Sequence, residues 1–223
     1  MRKPAPTVEY YDQLYLSGDD TYEHPRSSRY YPLYRRVCGL VARAGIGSVL
    51  EVGCGSGVLA NMLIDAGMAY AGFDISPIAI RKAQGSSARG RFFVAGATDP
   101  AAYAHPYQGI VCCEVLEHID ADLEAIGLWA SGAECVCSVP NFDYESHVRH
   151  FRSEREVIER YGHLLDIRHV ERVASSARAG TSWSTYFRQI RWARNQPKRM
   201  LGMMGLNGFS WYGGWFVFTG RRR

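Results

Sequence analysis

The chain has 223 residues, of which 47% are hydrophobic and 22% are charged. This is the balance of a globular protein that can bury a core without covalent staples, and it excludes a fibrous or largely disordered chain. The six cysteines include no C-x-x-C pair, and the N-terminus has no apolar signal segment. We therefore expect reduced thiols in the cytoplasm, neither a disulfide scaffold nor a structural zinc site, and one domain over residues 1–223.

The net charge of +4 is unevenly distributed along the chain. Residues 168–199 contain eight basic side chains and one acidic side chain, and the chain ends in three arginines. Such a concentration can form a patch for an anionic partner such as RNA, although a solvated face is the commoner outcome. The uncharged stretch 200–220 is long enough to span a bilayer, but its six glycines favour a loop that leads into a buried strand. No membrane partner is expected.

Strands and helices alternate through most of the chain. Apolar periodicity predicts helices over 26–44, Val58–Ala66, Pro77–Gln84, Asp120–Ala130, Glu154–Tyr161 and 181–196. Short apolar or alternating runs predict strands at Ser48–Val52, Tyr70–Ile75, Arg91–Val94, Gly109–Glu114, Glu134–Val139, Leu165–Val173 and Trp215–Thr219. This order predicts an α/β fold with right-handed crossovers and a mostly parallel sheet.

A glycine-rich loop follows the first predicted strand and opens a helix. Its glycines, Gly53, Gly55 and Gly57, let the backbone turn tightly and approach a ligand closely, and the helix N-terminus favours negative charge. Val58 stands where a dinucleotide-binding loop would have its third glycine, which argues against a dehydrogenase. Asp74, at the end of the next strand, can accept both hydroxyls of a ribose. Together these residues predict a nucleotide-like ligand.

The segment Glu51 to Gly57 resembles the first motif of the class I S-adenosylmethionine (SAM) methyltransferases, and Asp74 resembles the ribose acid of their second motif. Similar matches lie at the ends of the fourth and fifth strands, in 107–118 and 138–141. The resemblance implies a Rossmann-like, seven-stranded, mostly parallel sheet with helices on both faces, an antiparallel last strand and SAM as cofactor. It also implies the cofactor-binding residues, which are Glu51, Gly53, Cys54, Gly55, Gly57, Asp74, Ile75, Thr98, Asp99 and Glu114.

Two segments lie outside this core. The tyrosine-rich residues 1–29 resemble the N-terminal lid that many members of the family fold over SAM. Residues 176–208 form an insertion before the last strand. Their aromatic and basic side chains can hold a planar or anionic substrate, or the aromatic ones can form a core stripe.

A cluster of carboxylates and imidazoles follows the fourth strand. Glu114, Glu117 and His118 form an E-x-x-E-H sequence, and His147 and His150 come later. In one interpretation, a divalent metal is held by the first three residues with His147 or His150, and it binds paired substrate hydroxyls and lowers their pKa. This resembles the small-RNA 3′-terminal 2′-O-methyltransferases and the ubiquinone-pathway O-methyltransferases. In the other, His118 is a metal-free general base and Glu114 lines the SAM pocket. A purely structural role as a helix cap is the third.

We take Glu117, His118 and His150 as the catalytic candidates and leave a possible metal open. The overall pattern is closest to methyltransferases of bacterial small-molecule pathways. The expected function is therefore SAM-dependent methyl transfer to an oxygen or nitrogen of a small-molecule acceptor. Metal-dependent 2′-O-methylation of RNA is the first alternative, and a SAM-binding protein without catalytic activity is the second.

Overall fold

The computed structural model describes residues 4–17, 25–28, 30–87, 89–175, 187, 190–191 and 193–223. Its strands are β1 (Ser48–Val52), β2 (Ala69–Asp74), β3 (Arg91–Val94), β4 (Gly109–Cys113), β5 (Glu134–Pro140), β6 (Leu165–Ala174) and β7 (Gly214–Arg222). Its α-helices are α1 (Val8–Ser17), α2 (Tyr31–Arg43), α3 (Val58–Asp65), α4 (Pro77–Ser86), α5 (Asp122–Gly127), α6 (Glu154–Tyr161), α7 (Pro197–Met203) and α8 (Gly208–Trp211). Short 3₁₀ turns lie at Pro25–Ser27 and Pro100–Tyr103.

The strands form one sheet in the order β3-β2-β1-β4-β5-β7-β6. The strands β1 to β5 pair in parallel, whereas β7 is antiparallel to both β5 and β6. This confirms the predicted Rossmann-like α/β class and the antiparallel last strand. Strands β2 and β3 are added on one side of β1, whereas β4 and β5 are added on its other side, so the order of the strands reverses between β1 and β4. In such sheets, ligands bind at the carboxyl ends of the strands beside this reversal.

Helices cover both faces of the sheet and bury it. On one face, α2 presents Leu33, Val37 and Val41, which recur at helical spacing and are almost fully buried. On the other face, Ile126 of α5 and Tyr161 of α6 pack against the central strands. The loops at the carboxyl ends of β1, β2 and β4 are therefore anchored to a rigid layer.

The outer segments contain helices that were not predicted, and a helix within residues 1–29 leaves the expected lid a prediction. Helix α1 lies within the segment that was expected to be a lid, and α7 and α8 lie where a glycine-rich loop was expected. The predicted helix 181–196 lies largely outside the described residues. No helix in the described ranges is both long and apolar enough to cross a membrane.

Candidate active site

The loop between β1 and α3 needs its glycines. Gly53, Gly55 and Gly57 have φ values of 70°, 52° and 84°, in the left-handed region that side chains disfavour. A Cβ at Gly53 would lie 2.3 Å from Cγ2 of Val115, and one at Gly55 would lie 2.7 Å from the Tyr15 hydroxyl. The loop therefore passes close to two neighbouring segments without side chains between them.

Asp74 ties this loop to the end of β2. One carboxylate oxygen accepts a hydrogen bond from the Gly55 amide at 3.0 Å, and the other accepts one from the Ser76 amide at 2.9 Å. Burial raises the pKa of Asp74, while these hydrogen bonds act in the opposite direction. Each carboxylate oxygen keeps a second lone pair, so Asp74 can still accept the two hydroxyls of a ribose.

Two adjoining cavities open at the reversal of strand order. The Asp74 cavity, of about 120 Å³, is lined by Asp74, Ile75, Ala95, Ala97 and Val115 among others. The Glu51 cavity, of about 190 Å³, is lined by Glu51, the glycine loop and a collar of rings that includes Tyr30, Tyr34, Phe142, Tyr144 and His147. Both cavities are bordered by Tyr11, Tyr15, Gly53, Glu114 and His118. One ligand can therefore extend from the first cavity into the second.

Helix α1 lies across both cavities. Asp12 accepts a hydrogen bond from the Ser76 hydroxyl at 2.5 Å, and the Lys82 ammonium donates to the Tyr15 carbonyl. The Tyr11 ring meets the edge of the His118 ring, with centroids 6.2 Å apart. No residue of α1 is fully buried, so these polar and ring contacts near the cavities contribute to its attachment.

Glu51 is a buried carboxyl group. Its side chain is 4% exposed, and the Tyr70 hydroxyl donates to it at 2.5 Å. Burial raises its pKa to about 8; the Tyr70 hydrogen bond counters this rise, and the Asp74 charge adds to it.

Glu114 has a strained backbone. Its φ of 59° is one of two positive values among the non-glycine residues that the structure describes. The amide of Glu114 donates to the Ser138 hydroxyl, and that hydroxyl donates in turn to the Glu114 carboxylate, both at 3.2 Å. Such strain is typical of positions where a side chain is held for function, and here it places Glu114 on the border of both cavities.

Hydrogen bonds to carbonyl oxygens orient two histidines. Nδ1 of His118 lies 3.0 Å from the Ser146 carbonyl, and Nδ1 of His147 lies 3.1 Å from the Phe142 carbonyl. Because a carbonyl only accepts, Nδ1 carries the proton in each neutral ring and Nε2 keeps the lone pair. Burial lowers the pKa of His118, which favours this neutral form.

Glu117 completes a group that fits a divalent cation. Its side chain is fully buried, and neither carboxylate oxygen receives a hydrogen bond. One ligand atom from each of Glu117, His118 and His147 lies within 4.8 Å of the other two. Burial, and then the charge of Glu114, raise the pKa of Glu117, so a proton or a cation is needed to neutralise it. A carboxylate with two imidazoles suits manganese, zinc or a similar ion.

Several predicted residues lie elsewhere. Thr98 and Asp99 are exposed and border neither cavity, and Asp99 caps the 3₁₀ turn by accepting from the Ala101 amide at 2.9 Å. His150 is half-buried and also borders neither cavity, whereas His147 does. Cys54 and Ile75 line the Glu51 and Asp74 cavities respectively, and Gly57 caps α3. His147 of the collar was a candidate from the sequence, but the tyrosines and the phenylalanine of the collar and Tyr70 were not anticipated, because nothing in their sequence context separates them from core residues.

Comparison with known proteins identifies the family of the chain. A family model described as a methyltransferase domain matches residues 24–196, and the chain belongs to this family of class I SAM-dependent methyltransferases. No curated protein matches the chain in sequence.

Among the solved structures that share the fold, three illustrate the likeness. Magnesium protoporphyrin IX methyltransferase (ChlM) from Synechocystis PCC 6803, with bound S-adenosylhomocysteine, is 14% identical, with a TM-score of 0.63 over 97% of this chain and 98% of that one. The [4+2]-cyclase SpnF is 16% identical, with a TM-score of 0.62 over 100% and 99%. The N-methyltransferase NodS from Bradyrhizobium japonicum WM9 is 16% identical, with a TM-score of 0.59 over 95% and 98%. At these identities the likeness shows the fold alone.

Proposed function

We propose that the chain transfers the SAM methyl group to an oxygen or nitrogen of a small molecule, with His118 as general base. One observation carries this proposal: His118 borders both cavities and keeps an unprotonated Nε2. The ribose of SAM would bind Asp74, and its methionine end would lie in the Glu51 cavity beside the glycine loop. The sulfonium then lies between the cavities, next to His118 and Glu114.

The reaction is an in-line displacement. The acceptor atom forms a bond to the methyl carbon as the bond from carbon to sulfur breaks, and S-adenosylhomocysteine leaves. The acceptor's proton passes to Nε2 of His118. The walls of the cavities and α1 position the reactants and exclude water, which accounts for much of the rate that such an enzyme supplies.

The charges near the cavities support a small, non-anionic acceptor. Among the described residues that line them, none is lysine or arginine. Two basic side chains of β6 instead pair with acids of other elements: Arg168 lies 3.0 Å from Glu134 of β5, and Arg172 lies 3.1 Å from Glu154 of α6. Because phosphate contacts dominate nucleic-acid binding, this arrangement favours a small molecule over RNA.

Metal-dependent 2′-O-methylation of RNA is the second candidate, and the group of Glu117, His118 and His147 is the observation in its favour. These residues would hold the ion. When bound, it would supply Lewis-acid chemistry that lowers the pKa of two adjacent hydroxyls. His118 would then be a ligand and would not act as the base.

The test is methyl transfer from labelled SAM into a fractionated cell extract, with and without EDTA. Wild type is compared with His118→Ala and with His163→Ala, whose side chain is exposed and outside both cavities. Label in small molecules that survives EDTA, is lost in His118→Ala and persists in His163→Ala supports the proposal. Label in RNA that EDTA abolishes supports the second candidate, and SAM binding with no label in any fraction indicates a non-catalytic binding protein.

A further inference from the structure

A tyrosine and a glycine of β2 support the Glu51 carboxyl group. Glu51 of β1 lies directly opposite Gly72 in the parallel register, and Tyr70 lies two residues earlier on the same face of β2. A Cβ at Gly72 would lie 2.2 Å from the Tyr70 hydroxyl oxygen. The tyrosine ring therefore lies along its own strand, over the bare glycine, and its hydroxyl reaches Glu51 at 2.5 Å.

The groups around Glu51 leave its charge uncompensated. Among the described residues, the titratable groups that interact with it come from four elements: Tyr70 and Asp74 of β2, Tyr34 and Cys38 of α2, Cys54 of the glycine loop, and Cys112 and Cys113 of β4. None of them is a cation. A buried carboxylate without a cation is costly, so the free protein keeps it neutral by holding a proton.

The cavity beside Glu51 must therefore receive a positive charge when the carboxylate forms. SAM carries an ammonium group at its methionine end. We propose that Tyr70, admitted by Gly72, is a positioning residue that holds the Glu51 carboxylate towards the cavity as the counter-charge of that ammonium, so that SAM binding expels the proton of Glu51. This inference rests on the SAM-binding half of the proposed function and is independent of the acceptor.

Isothermal titration with SAM, without any acceptor, tests it. Between pH 6.0 and 7.0 the affinity of wild type should rise by up to about tenfold, because each binding event releases one proton. Titrations at pH 7.0 in two buffers of different ionisation enthalpy should show that release directly. In Glu51→Gln, the affinity for SAM should no longer rise with pH, and binding should release no proton. This result distinguishes Glu51 from histidines that titrate in the same pH range.

Tyr70→Phe should weaken SAM binding at pH 7.0 by about five- to tenfold, which corresponds to the loss of one hydrogen bond to the carboxylate. It should also shift the pH dependence of SAM affinity to higher pH, because the Tyr70 hydrogen bond lowers the pKa of Glu51. Gly72→Ala should change binding in the same direction, because its methyl group displaces the Tyr70 ring. Tyr161→Phe is the matched control: its hydroxyl also donates to a buried carboxylate, that of Asp122 at 3.0 Å, but Tyr161 belongs to the core cluster on the other face of the sheet from Tyr70. It should lower thermal stability without changing the SAM profile.

The possible results of these titrations distinguish failure of the inference from failure of the proposed function. A Tyr70→Phe variant that binds SAM like wild type at every pH overturns the inference. A Glu51→Gln variant whose SAM affinity rises with pH as steeply as that of wild type also overturns it. SAM binding by wild type without proton release overturns the inference and leaves the proposed function standing. Absence of SAM binding by folded wild type overturns both.

Discussion

Arg149 holds the turn that carries Glu117 and His118. Its side chain is 11% exposed, and its guanidinium lies 3.2 Å from the carboxylate of Asp122. It also donates to three backbone carbonyls of the turn, those of Leu116, Ile119 and Asp120. These carbonyls lie outside the helices and strands, and one planar side chain satisfies all three. The forked geometry of the guanidinium makes this possible.

The substitution Arg149→Met keeps most of the buried stem and removes these contacts. Three hydrogen bonds at about 1 kcal/mol each predict a loss of about 3 kcal/mol in the free energy of unfolding, measured by urea denaturation. The loss stays near this value because Asp122 keeps its two hydrogen bonds from Arg160. A displacement of the turn by about 1 Å would misplace His118, so kcat should fall by about 100-fold while the affinity for SAM changes little.

Arg160→Met is the matched control. Arg160 binds the same carboxylate but makes no contact with the turn, and its side chain is 33% exposed. It should destabilise the fold by about 1–2 kcal/mol and leave kcat within about twofold. If both variants lose stability but neither loses kcat, or if Arg149→Met costs less than about 0.5 kcal/mol, Arg149 does not hold the turn in place for catalysis.

Three further predictions concern the site itself. Asp74→Ala should weaken SAM binding by about 10- to 100-fold with an unchanged circular dichroism spectrum, because a charged acceptor for two hydroxyls is lost; unchanged affinity would refute the ribose assignment. His118→Ala should lower kcat far more than it changes SAM affinity; an equal effect on both would assign His118 to cofactor binding. Since burial lowers the pKa of His118 below its ordinary value, its base form persists at neutral pH, and kcat should fall only as the pH drops below that lowered pKa; a kcat that stays constant with falling pH until the protein unfolds would exclude it as the base.

The central elements were predictable because their signals are local. Strand β3 and helix α6 were predicted with the bounds that the structure shows, Arg91–Val94 and Glu154–Tyr161. A Ser at position 153 caps α6 by accepting from the Glu156 amide, and apolar residues recur on one face of that helix. Such patterns need no knowledge of the rest of the chain.

The outer helices were not predictable from local patterns. Helix α1 buries no residue completely and depends on contacts such as that between Asp12 and Ser76, 64 positions away in sequence. In α7 and α8, Gly202 permits close packing: a Cβ there would lie 2.9 Å from the Tyr212 amide nitrogen. A glycine at a helix crossing has the same sequence signature as a glycine in a loop, so the segment was assigned to a loop.

The choice between His147 and His150 shows why the site was only partly predictable. Both follow β5 in an irregular segment, where no periodicity relates sequence position to direction. The structure decides through backbone contacts: the Val148 amide donates to the Glu117 carbonyl at 2.8 Å, and the Phe151 amide donates to the Pro140 carbonyl at 2.9 Å. Phe151 then enters the core, and His147 faces the cavity three residues before His150. The residue types at a strand end can indicate which chemistry a site supports. In an irregular loop, however, long-range hydrogen bonds determine which side chain reaches that site.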